Sequence, residues 1–358
     1  MNASRSAGGR VRSLRRLMQE RGIDVLLVTG RENIRYLTGF TGSAGCVIVA
    51  GSRPLLITDF RYRTQARVEA PQAKLVIQHT DIVSALGKAA AGMGVGTLWF
   101  DEASLTFDRI RGLRKQGLRL RGIKDPVAEL RQRKDAGEIM KLRTAIRRAE
   151  ESFRALRGSL RAGMTEREVA LRLEWLMREK GARRAAFDII VASGRNGAMP
   201  HASASSRRLR TGDLVTIDFG AEADGYFSDI TRTVCIGKPT SRQREVHALV
   251  LQAQQAAIRA IGAGVPCAEV DRAARDVIKM AVQGDRFGHA TGHGIGLMVH
   301  EGPSLSALSK ATLDTGMVVT VEPGVYLPGW GGVRIEDMVL VTDRGPKLLT
   351  GLPRGLEG

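Results

Sequence analysis

At 358 residues and 43% hydrophobic content, the chain is long enough for two cores, and its 4% aromatic content leaves few rings for stacking single-stranded nucleic acid. Its net charge of +18 raises nucleic acid as a partner, but the basic residues are mostly Arg scattered through helical stretches, which fits a solvated surface; nucleic acid is not an expected partner. No apolar run approaches about 18 residues, so no membrane partner is expected. The stretch from Met1 to Arg16 lacks an apolar signal region. Cys46, Cys235 and Cys267 lie far apart, which argues against a disulfide framework or thiolate zinc and for a reducing, cytoplasmic setting.

Val11 to Gly22 reads as an amphipathic helix with Leu14, Leu17 and Met18 on one side. Strand patterns follow at 25–28, 45–50 and 54–58, the last two joined by a turn at Gly51-Ser52-Arg53. Helical patterns at 61–69, 82–91 and 105–115 alternate with strand patterns at 74–78 and 97–100, giving an α/β domain over residues 1–126. The glycines of Gly92-Met-Gly94-Val-Gly96 precede a strand and open no helix, so they are no phosphate loop. Pro126 breaks regular structure and marks the boundary to a second domain, 127–358.

That domain opens with a long helix from Ala136 to about Arg157, and Thr165-Glu-Arg-Glu168 is a capping box for the next helix. Gly163-Met-Thr-Glu-Arg-Glu168-Val169 is similar to Gly264-Val-Pro-Cys-Ala-Glu269-Val270, which suggests an internal two-fold repeat. Between the two copies, Leu214 to Val234 reads as a hairpin with an acid on each arm, Asp218 and Asp229. A turn centred on Ala223-Asp224 sets the two acids opposite each other; a turn at Asp224-Gly225 makes them diagonal neighbours. Strands around Glu322 and Glu336, joined by a Gly-rich loop from Gly324 to Gly331, repeat the arrangement.

Like charges facing each other within apolar strands require a proton or a cation between them. His293, flanked by glycines in His289-Ala-Thr-Gly-His293-Gly-Ile-Gly296, adds a nitrogen donor to four carboxylates. That set is hard and oxygen-rich and suits Mn²⁺, with Co²⁺, Fe²⁺ or Zn²⁺ as alternatives. Four acids carry too much charge for one ion, so two divalent ions sharing a water that titrates near neutral pH are expected.

The runs Ile217-Asp218-Phe-Gly, Ser228-Asp229-Ile-Thr-Arg-Thr233, Thr291-Gly-His293-Gly, Val321-Glu322-Pro-Gly and Val333-Arg-Ile-Glu336-Asp resemble those of the pita-bread metallopeptidases, most closely the Xaa-Pro peptidases, aminopeptidase P and prolidase. Tyr36-Leu-Thr-Gly-Phe-Thr-Gly-Ser43 and Ile57-Thr-Asp-Phe-Arg-Tyr62 resemble their creatinase-like N-terminal domain. The resemblance implies an α/β N-terminal domain followed by an α+β pita-bread catalytic domain with a pseudo-two-fold repeat. It implies that Asp218, Asp229, His293, Glu322 and Glu336 hold two divalent ions, with Asp229 and Glu336 bridging and Glu322 exchanging a proton. It also implies substrate-site roles for His201, His289, His300 and Arg334. Of these, His201 shuttles protons or contacts substrate, His289 lines a proline pocket, His300 stabilises the tetrahedral intermediate and Arg334 orients ligands. The expected activity is hydrolysis of the N-terminal Xaa-Pro bond of proline-containing peptides, by a homodimer.

Methionine aminopeptidases share the ligand pattern but not the N-terminal domain, creatinases do not retain all five ligands, and a non-enzymatic binding relative is expected to lose some. An Xaa-Pro dipeptidase is the nearer rival. It needs a cation for the dipeptide's free carboxylate, and no Arg follows in His300-Glu-Gly-Pro-Ser304. Arg207, Arg208 or a partner subunit's residue is the substitute such an enzyme would use.

Overall fold

Short β-branched runs such as Cys46-Val-Ile-Val and Leu55-Leu-Ile-Thr are apolar on both faces, as strands covered on both sides must be. In the computed structural model, which describes residues 7–51, 53–281 and 286–357, these runs lie inside a six-stranded sheet. Ser52 of the expected turn and residues 1–6 of the basic N-terminal stretch lie outside the described residues. The chain divides into two compact units, one ending at Arg131 and the other beginning at Gln132.

The first unit runs α1 (Ala7–Glu20), β1 (Leu26–Val28), α2 (Arg31–Thr38), β2 (Cys46–Val49), β3 (Leu55–Asp59), α3 (Arg63–Glu69), β4 (Lys74–Gln78), α4 (Ile82–Gly92), β5 (Thr97–Asp101), α5 (Phe107–Lys115), β6 (Arg119–Ile123) and α6 (Pro126–Arg131). The sheet order is β4-β3-β2-β1-β5-β6. β2 is antiparallel to both neighbours, and the remaining pairs are parallel. Leu27, Ile48, Ile57, Leu86, Leu98 and Leu113 fill its core. Two elements go beyond the sequence reading. α2 follows Gly30 without a side-chain cap, and β6 is an edge strand whose alternating Arg residues disguise it as a polar loop. Pro126 opens α6 rather than ending the unit, because proline at a first helical position loses no hydrogen bond; Asp125 accepts from the Val127 amide at 2.8 Å. The unit therefore ends after Arg131 and not after Pro126.

The second unit begins with a helix pair, α7 (Ala136–Arg157) and α8 (Glu166–Glu179), both opened by capping boxes, at Asp135/Glu138 and Thr165/Glu168. Strands β7 (Arg184–Ala185), β8 (Ile190–Ser193), β9 (Leu214–Phe219), β10 (Ala221–Ala223), β11 (Tyr226–Phe227) and β12 (Ile230–Cys235) follow. A second helix pair, α9 (Ser241–Ala260) and α10 (Cys267–Ala281), precedes β13 (Gly292–Gly294), β14 (Glu301–Leu305), β15 (Val318–Val321), β16 (Gly324–Leu327), β17 (Gly331–Arg334), β18 (Asp337–Thr342) and β19 (Gly345–Leu348). The repeat is visible in matching hydrogen bonds. Gly163 N donates to Leu209 O and Gly264 N to Leu313 O, each at 2.9 Å, and the return bonds run from Leu209 N to Met164 O and from Leu313 N to Val265 O. Both glycines sit at positive φ, +92° and +84°, where a side chain would be strained.

Each half supplies one acid-bearing hairpin. In the first, Ala223 pairs with Tyr226 across Asp224-Gly225, both at positive φ as a two-residue primed turn requires. The same register pairs Asp218 with Thr231, so Asp229 is the diagonal neighbour of Asp218. In the second, the segment expected as a loop from Gly324 is itself paired, β16 against β17. Val321 faces Asp337 and Gly324 faces Arg334, so Glu322 and Glu336 stand opposite each other in one continuous register.

The returning arms of the two hairpins meet: Glu336 N donates to Thr231 O at 3.1 Å, and Thr233 Oγ1 donates to Arg334 O at 3.0 Å. Behind this seam Arg232 pairs with Asp337 at 2.7 Å, both nearly inaccessible. Although burial pushes the Asp337 pKa up, Arg232, Arg354 and the Thr350 hydroxyl hold it below the usual carboxylate value. Removing one partner of a buried, hydrogen-bonded pair strands the other charge. Arg232→Met is therefore expected to cost about 3 to 5 kcal/mol in urea unfolding; a loss well under 1 kcal/mol would show that the pair is dispensable.

Candidate functional site

The faces of the two hairpins opposite that seam turn their acids into one cavity of about 490 Å³. Alternation along a strand decides which residues these are: Asp229 and Thr231 share a face, as do Glu322, Gly324 and Tyr326, whereas Asp337 points the other way from Glu336. His293 comes from β13, whose flanking glycines are set against backbone: a Cβ on Gly292 would lie 2.0 Å from Thr320 O, and one on Gly294 2.0 Å from Gly302 O. Those glycines let neighbouring strands press against β13.

Asp218, Asp229, His293, Glu322, Glu336, His201, His289, His300 and Arg334, all singled out from the sequence, line this cavity. Ligating atoms of Asp229, His293 and Glu336 lie within 4.8 Å of one another. His293 Nε2 is 3.7 Å from Asp229 Oδ2 and 3.4 Å from Glu322 Oε1. Its Nδ1 lies 3.1 Å from Gly294 O, a contact that places the proton on Nδ1 and leaves the Nε2 lone pair facing the carboxylates. Lys134, paired with Glu301 at 2.7 Å in a nearly inaccessible contact, fixes the corner that carries His300.

Burial, then mutual repulsion among Glu336, Asp218 and Glu322, pushes the Asp229 pKa well above the usual carboxylate value. Glu336 is raised by the same causes, and burial pushes Glu322 up to about 8. Burial lowers His293 and His289 to about 4. Asp218 Oδ1 and Glu336 Oε1 are buried and meet no hydrogen-bond donor. A buried carboxylate oxygen without a donor is costly unless a cation occupies the space in front of it, so the donor set fits divalent metal. The remaining oxygens of these two acids are fixed: Asp218 Oδ2 accepts from Arg334 at 2.8 Å, and Glu336 Oε2 from Thr231 at 2.8 Å.

Arg334 is held on four sides. Its guanidinium donates to Asp218, to Thr231 Oγ1 at 3.1 Å, to Tyr326 OH at 2.9 Å and to Pro200 O at 3.2 Å. Those bonds tie Asp218, Thr231 and Tyr326 together through one guanidinium. His289 likewise has both nitrogens engaged, with Ala290 O and Tyr326 OH, each at 2.8 Å, so it offers the cavity a ring and no free hydrogen-bonding edge. Tyr326 and Thr231 were absent from the sequence-derived set, although even spacing along the strand, four residues from Glu322 and two from Asp229, marks both. Arg207 and Arg208, considered for carboxylate capture, do not line the cavity: Arg207 is held by Asp213 at 2.6 Å and Arg208 donates to Gly163 O.

Comparison with known proteins agrees with this geometry. The model of metallopeptidase family M24 matches residues 140–343, and that of the creatinase/prolidase N-terminal domain matches residues 10–133. The Xaa-Pro dipeptidase of Pyrococcus furiosus is 36% identical over 97% of this chain and 99% of its own. Among solved structures, an Xaa-Pro dipeptidase from Bacillus anthracis superposes with TM-score 0.95 at 40% identity, over 98% of this chain and 99% of that one. An X-Pro aminopeptidase from Thermotoga maritima superposes with TM-score 0.90 at 40% identity, over 97% and 100%.

The raised carboxyl values carry a sign that is open to measurement. A group held protonated by the fold contributes stability below its unfolded pKa, and that contribution is lost as pH rises through its folded value. His293 and His289, lowered from 6.5, act in the opposite direction only below about 6.5. The metal-stripped protein is therefore expected to lose thermal stability between pH 6.5 and about 8, the Glu322 value, and added Mn²⁺ is expected to remove that slope. A flat profile without metal would contradict the electrostatics described.

Proposed function

The chain belongs to metallopeptidase family M24, and from that premise we propose that it hydrolyses the N-terminal Xaa-Pro bond of peptides, as an Xaa-Pro aminopeptidase. The observation that carries the reading is the convergence of four carboxylates and one imidazole on a cavity where two carboxylate oxygens have no donor. Asp218, Asp229, His293, Glu322 and Glu336 would hold two divalent ions, Mn²⁺ best suiting so oxygen-rich a set. When bound, such ions acidify water and polarise a carbonyl oxygen.

The chain's own residues do the rest. Glu322 takes a proton at its carboxylate and returns it to the leaving nitrogen. His300, whose ring centroid is 4.2 Å from that of His293, donates to the carbonyl oxygen as charge develops there. His201 contacts the substrate at the same wall, and the face of His289, stacked edge-on with Phe287, forms the seat for the proline ring. Arg334 and Thr231 hold Asp218 and Glu336 in place. The reading includes a cytoplasmic location, supported by three unpaired cysteines, and a homodimer, which rests on the resemblance alone.

Among the described residues lining the cavity, Arg334 is the one Arg, and its guanidinium is already engaged. A free dipeptide carboxylate thus finds no open guanidinium there, which supports longer substrates. An Xaa-Pro dipeptidase is the second reading, favoured by the names of two of the relatives above. With Mn²⁺ supplied, an Xaa-Pro-Xaa tripeptide is expected to lose its first residue faster than an Xaa-Pro dipeptide is split; turnover of the dipeptide alone would reverse the choice. Thr231→Val keeps the shape but removes the hydroxyl between Arg334 and Glu336. It is expected to lower metal affinity or kcat/KM by about 10- to 100-fold, read by metal titration and steady-state kinetics.

A further inference from the structure

The first unit contains a cavity of about 320 Å³ that the peptidase reading does not use. It lies beyond the carboxyl ends of β1, β3 and β4, marked by Thr29, Asp59 and Gln78. In an open α/β sheet that edge is where ligands bind, because the loops and helix N-termini converge there. The ionisable side chains lining it, apart from the Cys46 thiol, are Arg31, Arg61, Arg109 and Asp59, so three guanidinium groups against one carboxylate leave a charge of +2.

These groups differ in how far they are committed. Arg61 forms a two-point pair with Asp59, at 2.8 and 2.9 Å. The guanidinium groups of Arg31 and Arg109 have no partner among the described residues. Burial pushes the Cys46 thiol up to about 12, and the charge of Arg109, which lines the same cavity, counters part of that rise. Arg31 is the first residue of α2, whose N-terminus has no side-chain cap. On the wall, Gln78 Oε1 is buried and meets no donor.

We propose that this cavity is a binding site for a small phosphate monoester carrying a hydroxyl group. A dianion matches the net charge, and planar guanidinium groups pair with phosphate oxygens at two points. The unpartnered Gln78 oxygen calls for a donor, which a hydroxyl on the organic part supplies and the ionised phosphate group of a monoester, having no proton, does not. The volume, at the lower limit for ligand pockets, excludes a dinucleotide.

The test titrates the full-length, metal-loaded protein with glycerol 3-phosphate and, separately, methyl phosphate, by calorimetry and hydrogen exchange. Glycerol 3-phosphate is expected to saturate one site and to slow exchange at residues 29–33 and 43–46. Arg31→Gln and Arg109→Gln are each expected to weaken it at least about tenfold, the loss of a charge-assisted hydrogen bond. Neither arginine is paired, so neither change strands a buried charge. Unaltered affinity in both variants, no saturable binding, or protection confined to the cavity of Asp218 and Glu336 would each overturn the proposal. Methyl phosphate binding as tightly as glycerol 3-phosphate would overturn the hydroxyl requirement.

Discussion

Four carboxylates and an imidazole crowd into one cavity, and their mutual repulsion is the constraint that organises the second unit. Left to themselves the acids would retain protons, as the upward displacement of Asp229, Glu322 and Glu336 shows. The fold nevertheless holds them together by fixing one oxygen of Asp218 and one of Glu336 with Arg334 and Thr231, leaving the other oxygen of each turned inward. A scaffold that fixes half of each ligand and leaves half unsatisfied is arranged for cations.

The repeat explains how a short chain achieves this. Each half offers a helix pair and a hairpin, and the two hairpins meet along their returning arms through the bonds joining Thr231 to Glu336 and Thr233 to Arg334. Neither hairpin gathers the full donor set. The site therefore exists only where the halves join, and the Arg232–Asp337 pair behind that seam anchors the same two strands.

Much of the site was legible in the sequence because it is written in short-range spacing. The Asp-Gly turn sets the first register, Gly329 marks the midpoint of the second, and the capping boxes at Asp135 and Thr165 open helices as their patterns indicate. The elements that escaped lack such punctuation: α2 starts without a capping side chain, and β6 has an edge strand's charged alternation. The bonding of Arg334 was not legible for a different reason. Its partners come from positions 200, 218, 231 and 326, and distances of that kind are not encoded locally.

Glu336 and Asp337 are adjacent, acidic and almost wholly buried, yet one faces the cavity and the other a cage of two arginines, a glutamine amide and a threonine. The pleat of a single strand is all that separates the catalytic side from the architectural side. A one-residue insertion upstream within β17 would turn the strand over, sending the caged charge into the metal cavity and the cavity's acid into the cage. Length changes in the neighbouring turn at Gly329 leave that phase untouched. The chain thus has a place where its length can drift freely, only a few residues from a place where its length cannot change at all.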